Sequence, residues 1–191
     1  MFPEIAVREL VANALIHQDF TESGTSVMIE LYDDRMEISN PGKSFIAPDR
    51  FIDEYQSRNE RLADIMRRAG ICEEKGSGVD KVIHSAEAFQ LPAPDFRIGE
   101  RRTSVVLFAH TELEQMDRND RVRASYQHCC LRYVMNEKMT NQSLRERFKL
   151  PEDKTATVSQ IIAATVDAGK IKPADPAQTS TRYRHYVPFW A

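Results

Sequence analysis

The 191-residue chain predicts an α/β protein of the α+β kind: helices alternating with two strand hairpins, then a small second domain of three helices and a hairpin. Three observations predict it. Segments with helical spacing of apolar residues bracket pairs of segments that alternate apolar and polar, so each strand pair has a helix to cover it. Beyond residue 117 the order becomes three helix-like segments followed by two short strand-like ones. Charge divides at the same point: residues 1–117 hold 22 acidic and 13 basic side chains, while residues 118–191 hold 7 acidic and 13 basic. The domains are expected at 1–112 and 113–191, with the second basic enough to face phosphates.

The first element is a helix through Arg8-Glu9-Leu10-Val11-Ala12-Asn13-Ala14-Leu15-Ile16-His17, with Pro3 suited to its first turn. At about 100° per residue, Glu9, Asn13 and His17 form one polar stripe between two apolar borders. Such a helix lines a pocket. Glu9 can activate water, and the amide oxygen of Asn13 can bind a hard cation such as Mg²⁺. The same spacing also arises in helices that only meet solvent. His17 either contacts a phosphate or packs against the next strand.

A loop with Gly24 leads to a strand over residues 26–32, with Val27, Ile29 and Leu31 on one face. Asp33-Asp34 turn the chain into a second strand, 35–40, in which Met36, Ile38 and Asn40 share a face. Asn40-Pro41-Gly42 then reads either as a binding corner, with Gly42 allowing close approach, or as an ordinary turn. Residues 43–75 form a long connection with a helix from Asn59 to Ala69, whose buried face is expected to be Leu62, Ile65 and Met66. Arg58 and Asn59 either close over a ligand or cap that helix. Gly76-Ser77-Gly78 opens the next helix, where small residues leave backbone N–H groups close to an anion. Residues 95–98 and 103–108 supply a closing pair of strands.

In the second domain, residues 120–135 form a helix with Val122, Tyr126, Cys129, Cys130 and Tyr133 near one side. Thr140 can cap a short helix to Phe148, and Thr155 a second one to Ala168 that Gly169 ends. Val158, Ile161, Ile162, Thr165 and Val166 form its buried stripe. With strands from Ile171 and over 183–189, this is the order of a winged helix-turn-helix. The recognition helix then offers Lys154, Thr155, Thr157 and Gln160 to a major groove, and the wing offers Arg182, Arg184 and His185 to phosphates. A winged helix that serves only protein contacts has the same pattern. Phe189 and Trp190 are expected to dock on a core.

No apolar run approaches the ~20 residues that span a bilayer, and the first residues lack the basic and apolar regions of a signal peptide. Cys72, Cys129 and Cys130 have no metal-ligand spacing, so a reduced, cytoplasmic protein without zinc is expected. No Gly-x-x-x-x-Gly-Lys-Ser/Thr loop occurs, so a helicase motor is not expected from this chain.

Four ordered markers carry a resemblance: residues 8–20, Glu37-Ile38-Ser39-Asn40-Pro41-Gly42, Ser57-Arg58-Asn59 and Glu74-Lys75-Gly76-Ser77-Gly78-Val79. Together they resemble the Bergerat-type ATP-binding fold of gyrase, MutL and histidine kinases, in its divergent branch among bacterial Schlafen-type (AlbA-like) transcriptional regulators. Members of that branch are often labelled RecG-related ATP-dependent DNA helicases. The resemblance implies a Bergerat-type two-layer sandwich followed by the winged helix, and ATP with Mg²⁺ as the cofactors. It implies that Glu9 polarises the attacking water, that Asn13 holds Mg²⁺, and that Gly76, Ser77 and Gly78 cradle the phosphates. Asn40 and Gly42 would sit where relatives carry an Asp-x-Gly-x-Gly box whose Asp accepts from the adenine amino group. Here Asn40 replaces that Asp and Ser44 the second glycine, which weakens adenine selectivity.

The function expected first is a DNA-binding transcriptional regulator with a nucleotide-sensing domain, duplex DNA being its partner. The alternatives are an ATP-hydrolysing enzyme and a degenerate pocket serving as scaffold or homo-oligomer interface. A membrane partner is not expected, and by the resemblance a Schlafen-type domain would precede Met1.

Overall fold

A computed structural model describes residues 2–72, 78–178, 180 and 184–191. It is of the α+β class and divides into two compact units, Met1–His110 and Thr111–Ala191.

The first unit opens with α1 (Glu4–His17), then strands β1 (Met28–Leu31) and β2 (Arg35–Pro41). A 3₁₀ turn at Pro48–Arg50 precedes α2 (Glu60–Arg68), α3 (Gly78–Ala88), β3 (Asp95–Ile98) and β4 (Arg102–Phe108). The four strands form one antiparallel sheet in the order β1-β2-β4-β3. Its central register pairs Ile38 with Val105 and Asn40 with Thr103. Residues opposite one another share a face, so Met36, Ile38 and Asn40 line up with Leu107, Val105 and Thr103. Helix α1 explains the arrangement. Ala6, Leu10 and Ala14 pack with Ile38, Val82, Val105 and Leu107. Ala12 and Ile16 pack instead with Ala63 and Met66 of α2. Burying a helix on two sides leaves one stripe between them, and Glu9, Asn13 and His17 occupy it.

Two expectations are corrected. Ile65 is 63% exposed and Ala63 is buried in its place, because α2 turns Ala63 and Met66 toward α1. The strand β2 continues through Asn40 and Pro41, which pair with Thr103 and Arg102, so the bend falls at Gly42. Strand β1 lies at the sheet edge, and both Ile29 and Leu31 are exposed there.

The second unit contains α4 (Arg118–Val134), α5 (Asn141–Arg147), a 3₁₀ turn at Glu152–Lys154, α6 (Thr155–Asp167), and an antiparallel ribbon of β5 (Ile171–Pro173) and β6 (Tyr186–Pro188). Asp117 caps α4 by accepting from the Asp120 N–H at 2.7 Å. Thr140 and Ser143 form a reciprocal capping box at α5. The expected Thr155 cap is corrected: Lys154 holds the cap position, and the Thr155 hydroxyl donates to the Glu152 carbonyl at 2.8 Å. The core joins Cys129, Leu144, Val158, Ile161 and Ile162, while Val166 is half-buried and Tyr133 is exposed. Met139 and Tyr186 exchange backbone bonds at 3.2 and 2.9 Å, tying the ribbon to the start of α5. The Trp190 indole N–H donates to the Tyr126 hydroxyl at 3.1 Å. Among the described residues no helix is long and apolar enough to cross a membrane.

Candidate functional site

The polar stripe of α1 faces a cleft in the first unit, bounded by α1, the start of α3, the inner faces of β2 and β4, and residues 44–58. Glu9 is 1% exposed, and its carboxylate has the half-exposed Arg8 guanidinium 3.4 Å away. Helix α3 begins against this group. A Cβ on Gly78 would stand 3.2 Å from Glu9 Oε2 and 3.5 Å from Asn13 Nδ2. A side chain here would crowd the Glu9 carboxylate, so glycine eases the close approach of the start of α3 to both side chains. The structure therefore brings Glu9, Asn13 and Gly78 together. Gly76 and Ser77 lie outside the described residues.

These groups suit phosphate chemistry with a hard cation. The Asn13 carboxamide oxygen and the Glu9 carboxylate are hard oxygen donors. Mg²⁺ characteristically takes only one or two protein ligands and completes its shell with water and phosphate. No cluster of three or more His, Cys, Asp or Glu that could hold a metal occurs among the described residues.

The other end of the cleft is built around Asn40, 7% exposed. Its Nδ2 donates to the Pro41 carbonyl at 2.9 Å. A carbonyl only accepts, so the amide orientation is set and Oδ1 is left as the acceptor. Gly42 follows with φ 99°, and a Cβ there would meet Asp19 Cβ at 2.9 Å. Its carbonyl accepts from Thr103 Oγ1 at 2.9 Å. Ser44 makes a tight turn, its hydroxyl donating to the Ile46 carbonyl at 3.0 Å and accepting the Ile46 N–H at 3.1 Å.

Asn59 stands at the N-cap position of α2 but makes no side-chain capping bond there. Its Nδ2 donates to the carbonyls of Ile16 and Gln18 at 2.7 and 2.8 Å, closing the C-terminal end of α1. Arg58 lines the cleft, paired with Asp19 at 3.1 Å. Two hydrogen bonds from Thr21, to a lesser degree aided by Arg58, hold the Asp19 carboxyl below its usual range. His17 also lines the cleft. Burial lowers its pKa, and the nearby Arg58 charge lowers it further. In the first turn of α3, Asp80 has Oδ1 buried without a hydrogen-bond partner, and burial raises its pKa to about 6.

Sequence reasoning gave Asp19 and Thr103 no role. Thr103 reaches Asn40 through strand pairing, and Asp19 reaches Arg58 across 39 residues. Neither signal is local.

The residues expected to face DNA lie in the second unit. Lys154, Thr155 and Gln160 are exposed at the start of α6, and Thr157 is half-buried. Arg184 is half-buried and donates to the Gln178 carbonyl at 3.2 Å, while Arg182 lies outside the described residues. Several cations of this basic unit are held internally. Arg121 donates to the Leu113 carbonyl, Arg123 pairs with Asp120, and Lys172 donates to the carbonyls of Phe189 and Ala191.

The whole chain is similar in fold to the crystal structure of the DIP2311 protein from Corynebacterium diphtheriae, with a TM-score of 0.52 and 14% sequence identity. The match covers 98% of this chain and 50% of that one, so the chain spans about half the length of that protein. No curated protein matches it. Residues 24–107, which hold the Asn40 corner, Arg58, Asn59 and α3 but not Glu9 or Asn13, match the family described as "Putative ATP-dependent DNA helicase recG C-terminal".

Proposed function

We propose that the first unit is a Mg²⁺-dependent nucleotide-binding module, with ATP as its ligand, and that the second is a winged helix-turn-helix that binds duplex DNA. Together they would form the sensing and DNA-binding parts of a cytoplasmic, Schlafen-type (AlbA-like) transcriptional regulator. One observation carries the nucleotide reading: the glycine start of α3 abuts a buried carboxylate and a carboxamide at the cleft, 3.2 and 3.5 Å from where its Cβ would be. In this arrangement Asn13 Oδ1 would hold the cation and the Gly78 end of α3 would face phosphate oxygens. Glu9 orients and deprotonates water. The bound cation would neutralise phosphate charge.

The ATPase-like family match over residues 24–107 supports the same reading. Side chains from the stretch between Ser44 and Arg58, Phe45, Phe51 and Tyr55 among them, line the cleft without filling it, as a ligand site requires.

Calorimetric titration with Mg·ATP tests the module. The wild type should bind, Asn13→Ala should lose most of the affinity, and Glu9→Ala should bind but not turn over. Equal turnover by wild type and Glu9→Ala rules out the chemistry assigned to Glu9. For the second unit, fluorescence anisotropy with duplex DNA should show affinity falling as salt rises, since released counterions drive binding. Absence of binding at low salt eliminates the DNA reading.

A further inference from the structure

Arg58 occupies the end of the cleft where Gly42 turns. Its guanidinium carbon lies 3.4 Å from the position a Gly42 Cβ would take, so the group rests directly on the corner. Nη1 donates to Asp19 Oδ2 at 3.1 Å and Nη2 to the Lys43 carbonyl at 2.6 Å. The guanidinium also lies 4.2 Å over the Phe45 ring. Next to it, Asn59 is anchored on the end of α1, which sets the backbone that carries Arg58.

These contacts hold the group in place without exhausting it. A guanidinium has five N–H donors, and the two bonds named use two. The side chain is 19% exposed and borders the cleft. The nearby Thr103 hydroxyl donates its proton to the Gly42 carbonyl and so offers none to a ligand. Asn40 spends one Nδ2 N–H on the Pro41 carbonyl, which fixes the amide orientation and leaves Oδ1 as its acceptor. The same cleft is therefore lined by a neutral acceptor, Asn40 Oδ1, and by a charged donor, Arg58, which rests on Gly42.

We propose that Arg58 is a specificity-determining residue of the cleft, donating to a ring nitrogen of a base whose adjacent amino group donates to Asn40 Oδ1. The inference rests on the nucleotide reading above and names the part of the ligand that Arg58 reads. Adenine carries the required pair, an amino donor flanked by ring-nitrogen acceptors. Guanine sets O6 where the amino group would be, opposing acceptor to acceptor at Asn40.

The test is competition binding to the full chain, with Mg²⁺, using ATP, GTP, 1-deaza-ATP and 7-deaza-ATP. Each deaza analogue removes one ring-nitrogen acceptor and keeps the amino group. A lost hydrogen bond to a charged donor lowers affinity roughly 10- to 100-fold. Wild type should bind one analogue and GTP at least tenfold more weakly than ATP. Arg58→Met should lose a similar factor for ATP and nothing further for that analogue. Equal wild-type affinity for ATP and both analogues overturns the proposal. So does an Arg58→Met loss of the same factor on ATP and the analogue, which marks a structural role alone. If Arg58→Met fails to fold by circular dichroism, Arg58→Lys and the wild-type series decide the question. Wild type that binds no nucleotide removes the nucleotide reading and this proposal with it. Binding without discrimination removes only the role of Arg58.

Discussion

Replacing Gly42 by alanine separates steric crowding from backbone strain at the corner of the cleft. At φ 99° the residue lies beyond the left-handed well that L-residues tolerate, a conformation costing about 1–3 kcal/mol. The added Cβ would meet Asp19 Cβ at 2.9 Å and the Asp19 backbone nitrogen at 3.3 Å. Neither is the yielding tip of a long side chain. Asp19 is held by its own N–H to the Pro41 carbonyl at 2.9 Å, and by Thr21 and Arg58. Relieving the contact must move backbone, a form of overpacking worth about 1–3 kcal/mol. The expected loss is thus about 2–6 kcal/mol. Gly70 provides the control in the same unit. Its φ is 69°, and no atom lies within 4 Å of its would-be Cβ, so Gly70→Ala should cost only about 1–2 kcal/mol. Urea unfolding of the full chain, followed by far-ultraviolet circular dichroism, compares the two. A Gly42→Ala loss no larger than that of Gly70→Ala refutes the steric argument.

Asn59→Ala removes both donors from the carbonyls of Ile16 and Gln18 and should destabilise the first unit by about 1–3 kcal/mol, with amide exchange accelerated around the α1–loop junction. Asp80→Asn should stabilise the protein at neutral pH. A carboxyl raised to about 6 contributes stability that is complete below its unfolded value near 3.8 and is lost as pH rises through 6. The gain should be about 1 kcal/mol at pH 7.5, after discounting for the solvent that still reaches a half-buried group, and should vanish near pH 4; a gain independent of pH contradicts it. Thr140→Ala opens the capping box at α5 and should cost about 1 kcal/mol in thermal unfolding, whereas Thr155→Ala, whose hydroxyl is no cap, should cost less.

What was legible in the sequence was what short-range periodicity encodes. The alternation at Met36, Ile38 and Asn40 located β2 and its inner face, and the Glu9–Asn13–His17 stripe was visible because two apolar borders flank it. Periodicity failed at Ile65, because Leu62, Ile65 and Met66 are the most apolar side of a short helix, yet α1 packs against Ala63 and Met66. The approach of Gly78 to Glu9 and the reach of Asn59 back to Ile16 join residues 43 or more positions apart. Local spacing suggests that such residues matter, but only chain topology tells what they touch. Arg58 and Asn59 illustrate the point, since adjacent residues with interchangeable local roles proved to serve different elements.

The exposed outer strand has a consequence for how the protein behaves in concentrated solution. β1 presents one row of backbone donors and acceptors to solvent, bordered by Met28, Ile29 and Leu31, which are 48%, 51% and 71% exposed. Glu30 is its only charge. Shortness and that single carboxylate are the safeguards against adding a strand from another molecule. Colloidal behaviour is therefore tied to one side chain outside the cleft lining: solubility at high concentration should be governed more by Glu30 than by the chain's overall negative charge.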